Sequence, residues 1–237
     1  MKSPEVSSGS ILIYLDGPNL MEMSELGHLC DGFTYNPNLF RALGVENYFD
    51  HCKLLSQKEK IKPISFDVIA DDHHEMIRQA HLLSELGQNI WVKIPVTFCN
   101  GKSTKKVIFE LQNSRIKVNI TAVFSLKQMQ DIADSLNEDI SIISVFAGRI
   151  YDLGLDAKKI LLEMVNWNSK NLCSKILWAR PRMIFDLISA NQIGCDIITI
   201  PPNIFTKKNL WGKHPEEYSK ETIQMFFNDA LRSKYSF

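Results

Sequence analysis

One lysine interrupts an otherwise apolar run, Ile90-Trp91-Val92-Lys93-Ile94-Pro95-Val96. Burying a charged ammonium in such a run is expensive. Burial therefore favours a neutral amine, which attacks carbonyl carbon. The competing reading is a strand-end lysine whose ammonium stays in water. Asp16 closes another run, Ile11-Leu12-Ile13-Tyr14-Leu15-Asp16-Gly17. A carboxylate there suits proton transfer in carbon–carbon bond cleavage, or it caps the helix that follows. Asp67 and Thr121 end, or nearly end, the runs on either side of Lys93. They suit the holding of the water that makes and breaks an imine, although strand propensity alone accounts for Thr121. Arg149, Arg180 and Arg182 follow later runs. Arginine grips phosphate with two parallel hydrogen bonds; solvated surface charge is the alternative. Asn36, Asn119 and Ser144 are further polar residues at run ends.

These residues converge only if the fold gathers the ends of the runs. Eight short, β-branched apolar runs alternate with longer segments of helical period: Ile11–Leu15, Gly32–Tyr35, Ile64–Ile69, Ile90–Ile94, Val118–Ala122, Ser141–Phe146, Lys175–Trp178 and Asp196–Ile200. That alternation predicts an α/β protein of the (β/α)8 TIM-barrel class, whose active sites lie at the C-terminal ends of the strands. An open doubly wound sheet is the rival arrangement, but no Gly-x-Gly-x-x-Gly or P-loop pattern follows any run. Met76, Ile77, Ala80, Leu83 and Leu86 illustrate the helical spacing. Ser125 suits an N-cap, and Gly87 and Gly194 fall where helices should stop. Asp71-Asp72-His73-His74-Glu75 reads as a capped helix start, because adjacent histidines diverge by about 100° and no metal-binding spacing is present. The tail, Pro215–Phe237, predicts an extra amphipathic C-terminal helix carrying Ile223, Phe226, Phe227 and Leu231. It covers the barrel or docks on a neighbouring subunit.

The 237 residues suit a single barrel domain, residues 1–237. Their 27 basic and 27 acidic side chains cancel. Polyanion binding needs a clustered positive excess, so no nucleic-acid partner is expected. No run approaches a membrane span, and the polar start lacks a signal-peptide core, so no membrane partner is expected. Five scattered cysteines without a Cys-x-x-Cys pair suit reduced thiols in the cytoplasm.

Six segments together carry a family resemblance: Tyr14-Leu15-Asp16, Gly32-Phe33-Thr34-Tyr35-Asn36-Pro37, Val92-Lys93-Ile94-Pro95-Val96-Thr97, Asn119-Ile120-Thr121-Ala122-Val123-Phe124-Ser125, Ser144-Val145-Phe146-Ala147-Gly148-Arg149-Ile150 and Gly194-Cys195-Asp196-Ile197-Ile198-Thr199. The chain resembles the transaldolase and fructose-6-phosphate aldolase family, most of all its short members. The resemblance implies Schiff-base chemistry with no metal and no organic cofactor. It implies a ketose phosphate substrate such as fructose 6-phosphate, with a dihydroxyacetone unit transferred or released, as in the pentose phosphate part of carbohydrate metabolism. In that reading Lys93 forms the imine, Asp16 is the acid/base and Asp67 and Thr121 place the water. Asn36 holds the donor ketose. Asn119, Ser144 and Phe146 border the substrate, and Arg149, Arg180 and Arg182 meet its phosphate end. A homo-oligomer formed through the C-terminal helix is also implied.

Departures from the family accompany the likeness. Asp67 stands where the family has glutamate or glutamine. Tyr35 and Asn38 differ beside the donor asparagine, and Gly17-Pro18-Asn19 follows Asp16. Arg180, followed by Pro181, replaces a small serine that contacts phosphate. Phe146 favours the transaldolases over the fructose-6-phosphate aldolases, which carry tyrosine. These changes motivate an alternative: an altered barrel that binds sugar phosphates or serves in assembly without turnover.

Overall fold

The computed structural model describes residues 11–233 and Tyr235. The apolar runs form eight strands: β1 (Leu12–Asp16), β2 (Gly32–Thr34), β3 (Ile64–Asp67), β4 (Ile90–Pro95), β5 (Val118–Val123), β6 (Ser141–Val145), β7 (Lys175–Trp178) and β8 (Ile197–Ile200). Each pairs in parallel with its neighbour, and β1 pairs with β8, so the barrel closes and the open sheet is excluded. Helices fill the intervals, as the predicted TIM barrel requires.

Strand side chains alternate between two faces, and this period builds the site. The barrel interior carries a floor of Tyr14, Trp91, Ile142, Leu177 and Ile197. Two residues further along, on the same strands or, for Ala179, just past the strand end, stand Asp16, Lys93, Ser144, Ala179 and Thr199, which line a cleft at the barrel mouth. Residues of the other parity, such as Leu15, Val92, Ile94, Val145 and Ile198, pack outward into the main core. Gly32 makes room for the floor: a Cβ there would lie 2.8 Å from the Tyr14 ring.

Seven of the eight predicted runs differ from their strands by one or two residues at an end, β3 by the most. The β3 run stops at Asp67, because the amides of Ile69 and Ala70 turn to the side chain of Gln79 (2.8 and 3.2 Å). Asp196 precedes β8, and its carboxylate accepts the Ile176 amide (2.7 Å). Strand β5 carries a register shift between Ile120 and Val123, with Ala122 at φ 58°. Such bulges re-aim side chains, and here the bulge brackets Thr121.

Ser125 caps its helix through a reciprocal box with Gln128, and Asp72 caps His73–Ser84. Gly194 adopts φ 82°, just beyond Asp186–Gln192. The predicted tail forms the helix Pro215–Ser233, which buries none of its residues. Ile223, Phe226, Phe227 and Leu231 lie exposed on it. No helix among the described residues is long and apolar enough to cross a membrane.

Candidate active site

Lys93 is 7% exposed, so it does not snorkel to solvent. Its Nζ donates to Oδ2 of Asp67 (2.8 Å) and to the Tyr35 carbonyl (2.9 Å). The register explains the first contact, since Asp67 and Lys93 are direct partners across β3 and β4. The surroundings of the amine are therefore more polar than its apolar flanks suggest. Those flanks, Val92 and Ile94, point away into the outer core.

Asp16 shares the cleft with Lys93 and is 5% exposed. It caps no helix; Asn19 does so instead, in a box with Glu22. Thr34 Oγ1 donates to Asp16 Oδ1 (2.8 Å) and lies 2.6 Å from Thr199 Oγ1. With Thr34 donating to the carboxylate, Thr199 donates to Thr34, which fixes a three-residue chain. Burial pushes the Asp16 carboxyl above its ordinary range, opposed by the Lys93 charge, the Thr34 hydrogen bond and the Arg180 charge. Asp67 is raised for the same leading reason, with Lys93 opposing. Both carboxyls are thus shifted toward holding a proton.

Thr121 lines the same cleft, and its buried Oγ1 meets no hydrogen-bond partner among the described residues. Such orphans are rare in protein interiors and call for an explanation. Asn36 caps Pro37–Ala42 through Oδ1, which accepts the Leu39 amide (3.1 Å). Its Nδ2 is left as a donor, and the residue borders the cleft. Ser144 and Phe146 border it too. Asn119 lies a layer below, fully buried, accepting from Ser144 Oγ (2.6 Å) and donating to Ser65 Oγ (3.1 Å).

An outer pocket adjoins the cleft, lined by Phe124, Arg149, Asp152, Leu153, Arg180 and Arg182. The three predicted arginines thus meet. They are not equivalent, however. Arg182 is ion-paired with Asp152 and donates through Nε to the Gly148 carbonyl (3.3 Å). The Arg149 guanidinium lies 5.9 Å from the centre of the Phe146 ring. Among the described residues no three His, Cys, Asp or Glu side chains cluster as metal ligands.

The family model described as Transaldolase/Fructose-6-phosphate aldolase matches residues 13–236. The chain belongs to that family. A probable transaldolase from Chelativorans sp. is 33% identical over 204 residues, covering 84% of this chain and 87% of the relative. One from Bartonella henselae is 31% identical over 219 residues, covering 91% and 94%. Among solved structures, a phosphonomutase-like protein from Burkholderia cenocepacia matches with a TM-score of 0.57 at 9% identity, covering 94% of this chain and 95% of that one. An isomerase-like protein from Sinorhizobium meliloti matches at 0.58 and 10% identity; it covers 84% of this chain, which spans about half (52%) of that longer protein. At such identities these two structures share the fold alone.

Within this transaldolase-type barrel, the Tyr35 hydroxyl donates to the Pro18 carbonyl (3.1 Å), so Tyr35 and the turn after Asp16 form one buried contact outside the cleft. Sequence reasoning gave no role to Thr34 and Thr199, although both lie in segments that carry the resemblance, or to Asp152, which lies in a helix. It also missed Tyr48, whose hydroxyl donates to the Asp67 carbonyl (2.7 Å). The signal for Thr34 was its position two residues past Gly32, on the inward face and level with Asp16.

Proposed function

We propose that this transaldolase-family chain is a class I aldolase or transaldolase in which Lys93 forms an imine with a ketose phosphate such as fructose 6-phosphate. The observation that carries the reading is a buried amine lining a cleft that is also lined by a buried carboxylate, Asp16. In the proposed sequence the Lys93 ammonium passes its proton to Asp67, 2.8 Å away. The freed amine adds to the ketose carbonyl, and the carbinolamine loses water to give a protonated imine. Asp16 takes the proton of the substrate hydroxyl, the adjacent carbon–carbon bond breaks, and the electron pair flows to the imine nitrogen. The aldehyde fragment departs. The remaining three-carbon enamine adds to a second aldehyde or takes up a proton, and water releases the product.

Thr121, whose hydroxyl has no partner among the described residues, and Asp67 are assigned to the water. Asn36 Nδ2 is assigned to the donor hydroxyls, beside Ser144 and Phe146. Asn119 orients Ser144 from below. Arg149, Arg180 and Arg182 are assigned to the phosphate end. The reading places the protein in carbohydrate metabolism of the pentose phosphate type, in a reducing compartment such as the cytoplasm, which suits five free thiols. The exposed apolar side chains of Pro215–Ser233 support a homo-oligomer formed through that helix.

Product analysis with fructose 6-phosphate tests the assignment. Transfer requires an aldose-phosphate acceptor for turnover; simple cleavage releases dihydroxyacetone without one. Absence of turnover in both arms sinks both versions. The rival, a barrel that binds without turnover, is motivated by the departures at Asp67 and Tyr35, the two residues to which Nζ donates. That rival requires ligand stabilisation to survive Lys93→Ala.

A further inference from the structure

Among the described residues, Arg180 alone lines both the inner cleft, with Asp16 and Lys93, and the outer basic pocket, with Arg149 and Arg182. Its side chain makes no hydrogen bond or ion pair among the described residues, whereas Arg182 is tied to Asp152. Its backbone is held in place by its neighbours. Arg180 adopts φ 60°, a left-handed conformation that costs a non-glycine residue about 1–2 kcal/mol. Gly148 packs directly beneath it: a Cβ on Gly148 would fall 1.7 Å from the Arg180 carbonyl oxygen. Strain kept by a close glycine contact fixes where the guanidinium begins its reach. The result is an uncommitted, bidentate cation at the boundary between the reacting amine and the phosphate end.

Resting on the imine reading above, we infer that Arg180 is a specificity-determining residue, selecting an acceptor aldehyde whose anionic group, phosphate or carboxylate, lies close to its reacting carbonyl. Arg149 borders only the outer pocket and serves anions at the end of longer chains. Arg180 borders the cleft itself, so a short anionic aldehyde reaches it while its carbonyl stays near Lys93. The electrostatics agree: burial raises the Asp16 and Asp67 carboxyls, and the Arg180 charge is among those opposing that rise at both. Its positive field therefore extends over the reacting centre.

Two measurements on the intact protein test this. The first is calorimetric binding of unreactive mimics: glycerol 3-phosphate for phosphate, glycerate for carboxylate, and glycerol as the uncharged reference. Arg180→Ser is expected to weaken glycerol 3-phosphate, glycerate or both at least tenfold, with partial recovery in Arg180→Lys; whichever loses affinity names the anion. The second is kcat/KM for dihydroxyacetone addition to glyceraldehyde 3-phosphate, erythrose 4-phosphate and uncharged glyceraldehyde. In Arg180→Ser the preference for glyceraldehyde 3-phosphate over glyceraldehyde is expected to fall at least tenfold. The corresponding fall for erythrose 4-phosphate should be smaller, and larger in Arg149→Ser. Affinities within twofold of wild type for both anions overturn the inference, as does an equal loss for charged and uncharged acceptors. Failure of wild type to form an imine with dihydroxyacetone overturns the underlying reading instead, and the binding measurement still decides the role of Arg180.

Discussion

Lys93 Nζ and Asp67 Oδ2 face each other across 2.8 Å, with side chains only 8% and 12% exposed. Direct register between β3 and β4 creates the pair. Breaking a buried pair by removing one partner leaves the other charge uncompensated, typically at about 3–5 kcal/mol. Lys93→Met is therefore expected to lose at least about a thousandfold in turnover and about 3 kcal/mol of stability near pH 8. The sign of its pH dependence follows from Asp67. Burial holds that carboxyl above its unfolded value, and Lys93→Met removes the main opposing charge. The folded state then binds more protons, so stability falls as pH rises through the interval between the two values. Urea titrations near pH 8 and pH 5 check this: the deficit against wild type should shrink at the lower pH.

Asp16 carries a similar cost without a partner of its own at hydrogen-bond distance other than Thr34. Its carboxyl is raised mainly by burial, so ionisation weakens the fold once pH exceeds the unfolded carboxylate range. Asp16→Asn keeps an acceptor for Thr34 and removes the charge. It is expected to raise Tm by a few degrees near pH 8, with the gain vanishing near pH 4. It should also lower kcat by about 10²–10⁴, the usual contribution of a general acid/base. Calorimetric scans and initial rates measure the two effects. An unchanged rate would remove Asp16 from proton transfer.

Thr121 offers a separation of stability from catalysis. Its buried Oγ1 meets no hydrogen-bond partner among the described residues, so no contact within the fold depends on it. Thr121→Val retains the branched shape and removes that group. Tm is expected to stay level or rise, while steady-state turnover falls more than tenfold because imine formation and hydrolysis lose an ordered water. A fall in both would mean that the hydroxyl supports the fold instead.

Gly148→Ala tests the geometry of the phosphate end. The new methyl would meet the Arg180 carbonyl at 1.7 Å, so one backbone must move. Overpacking of this kind costs about 1–3 kcal/mol. KM for phosphorylated substrates is expected to rise more than kcat falls, because Arg180 and Arg182 shift together. A variant with wild-type Tm and KM would show the loops to be freely adjustable.

Much of the site was legible because it obeys the strand period. Asp16, Lys93 and Ser144 each stand two residues past an apolar floor residue, Tyr14, Trp91 and Ile142, so strand parity aims them at the mouth. What parity does not give is pairing. Asp67 was read as a holder of water; register in addition sets it directly against Lys93, which no local pattern shows. Tyr35 stands one residue past Thr34 and therefore leaves the cleft on the opposite face, where only its carbonyl serves the lysine. The Arg180 loop was less legible still. Its left-handed φ and its contact with Gly148 join residues far apart in sequence, and no local pattern announces them. The same holds for Asp152, which occupies Arg182.

Borohydride reduction of the protein mixed with dihydroxyacetone or fructose 6-phosphate, followed by peptide mass analysis, tests the imine most directly. The expected result is a reduced three-carbon adduct on the peptide containing Lys93, absent from Lys93→Met. No adduct with either compound, or an adduct on another lysine that persists in Lys93→Met, would contradict it.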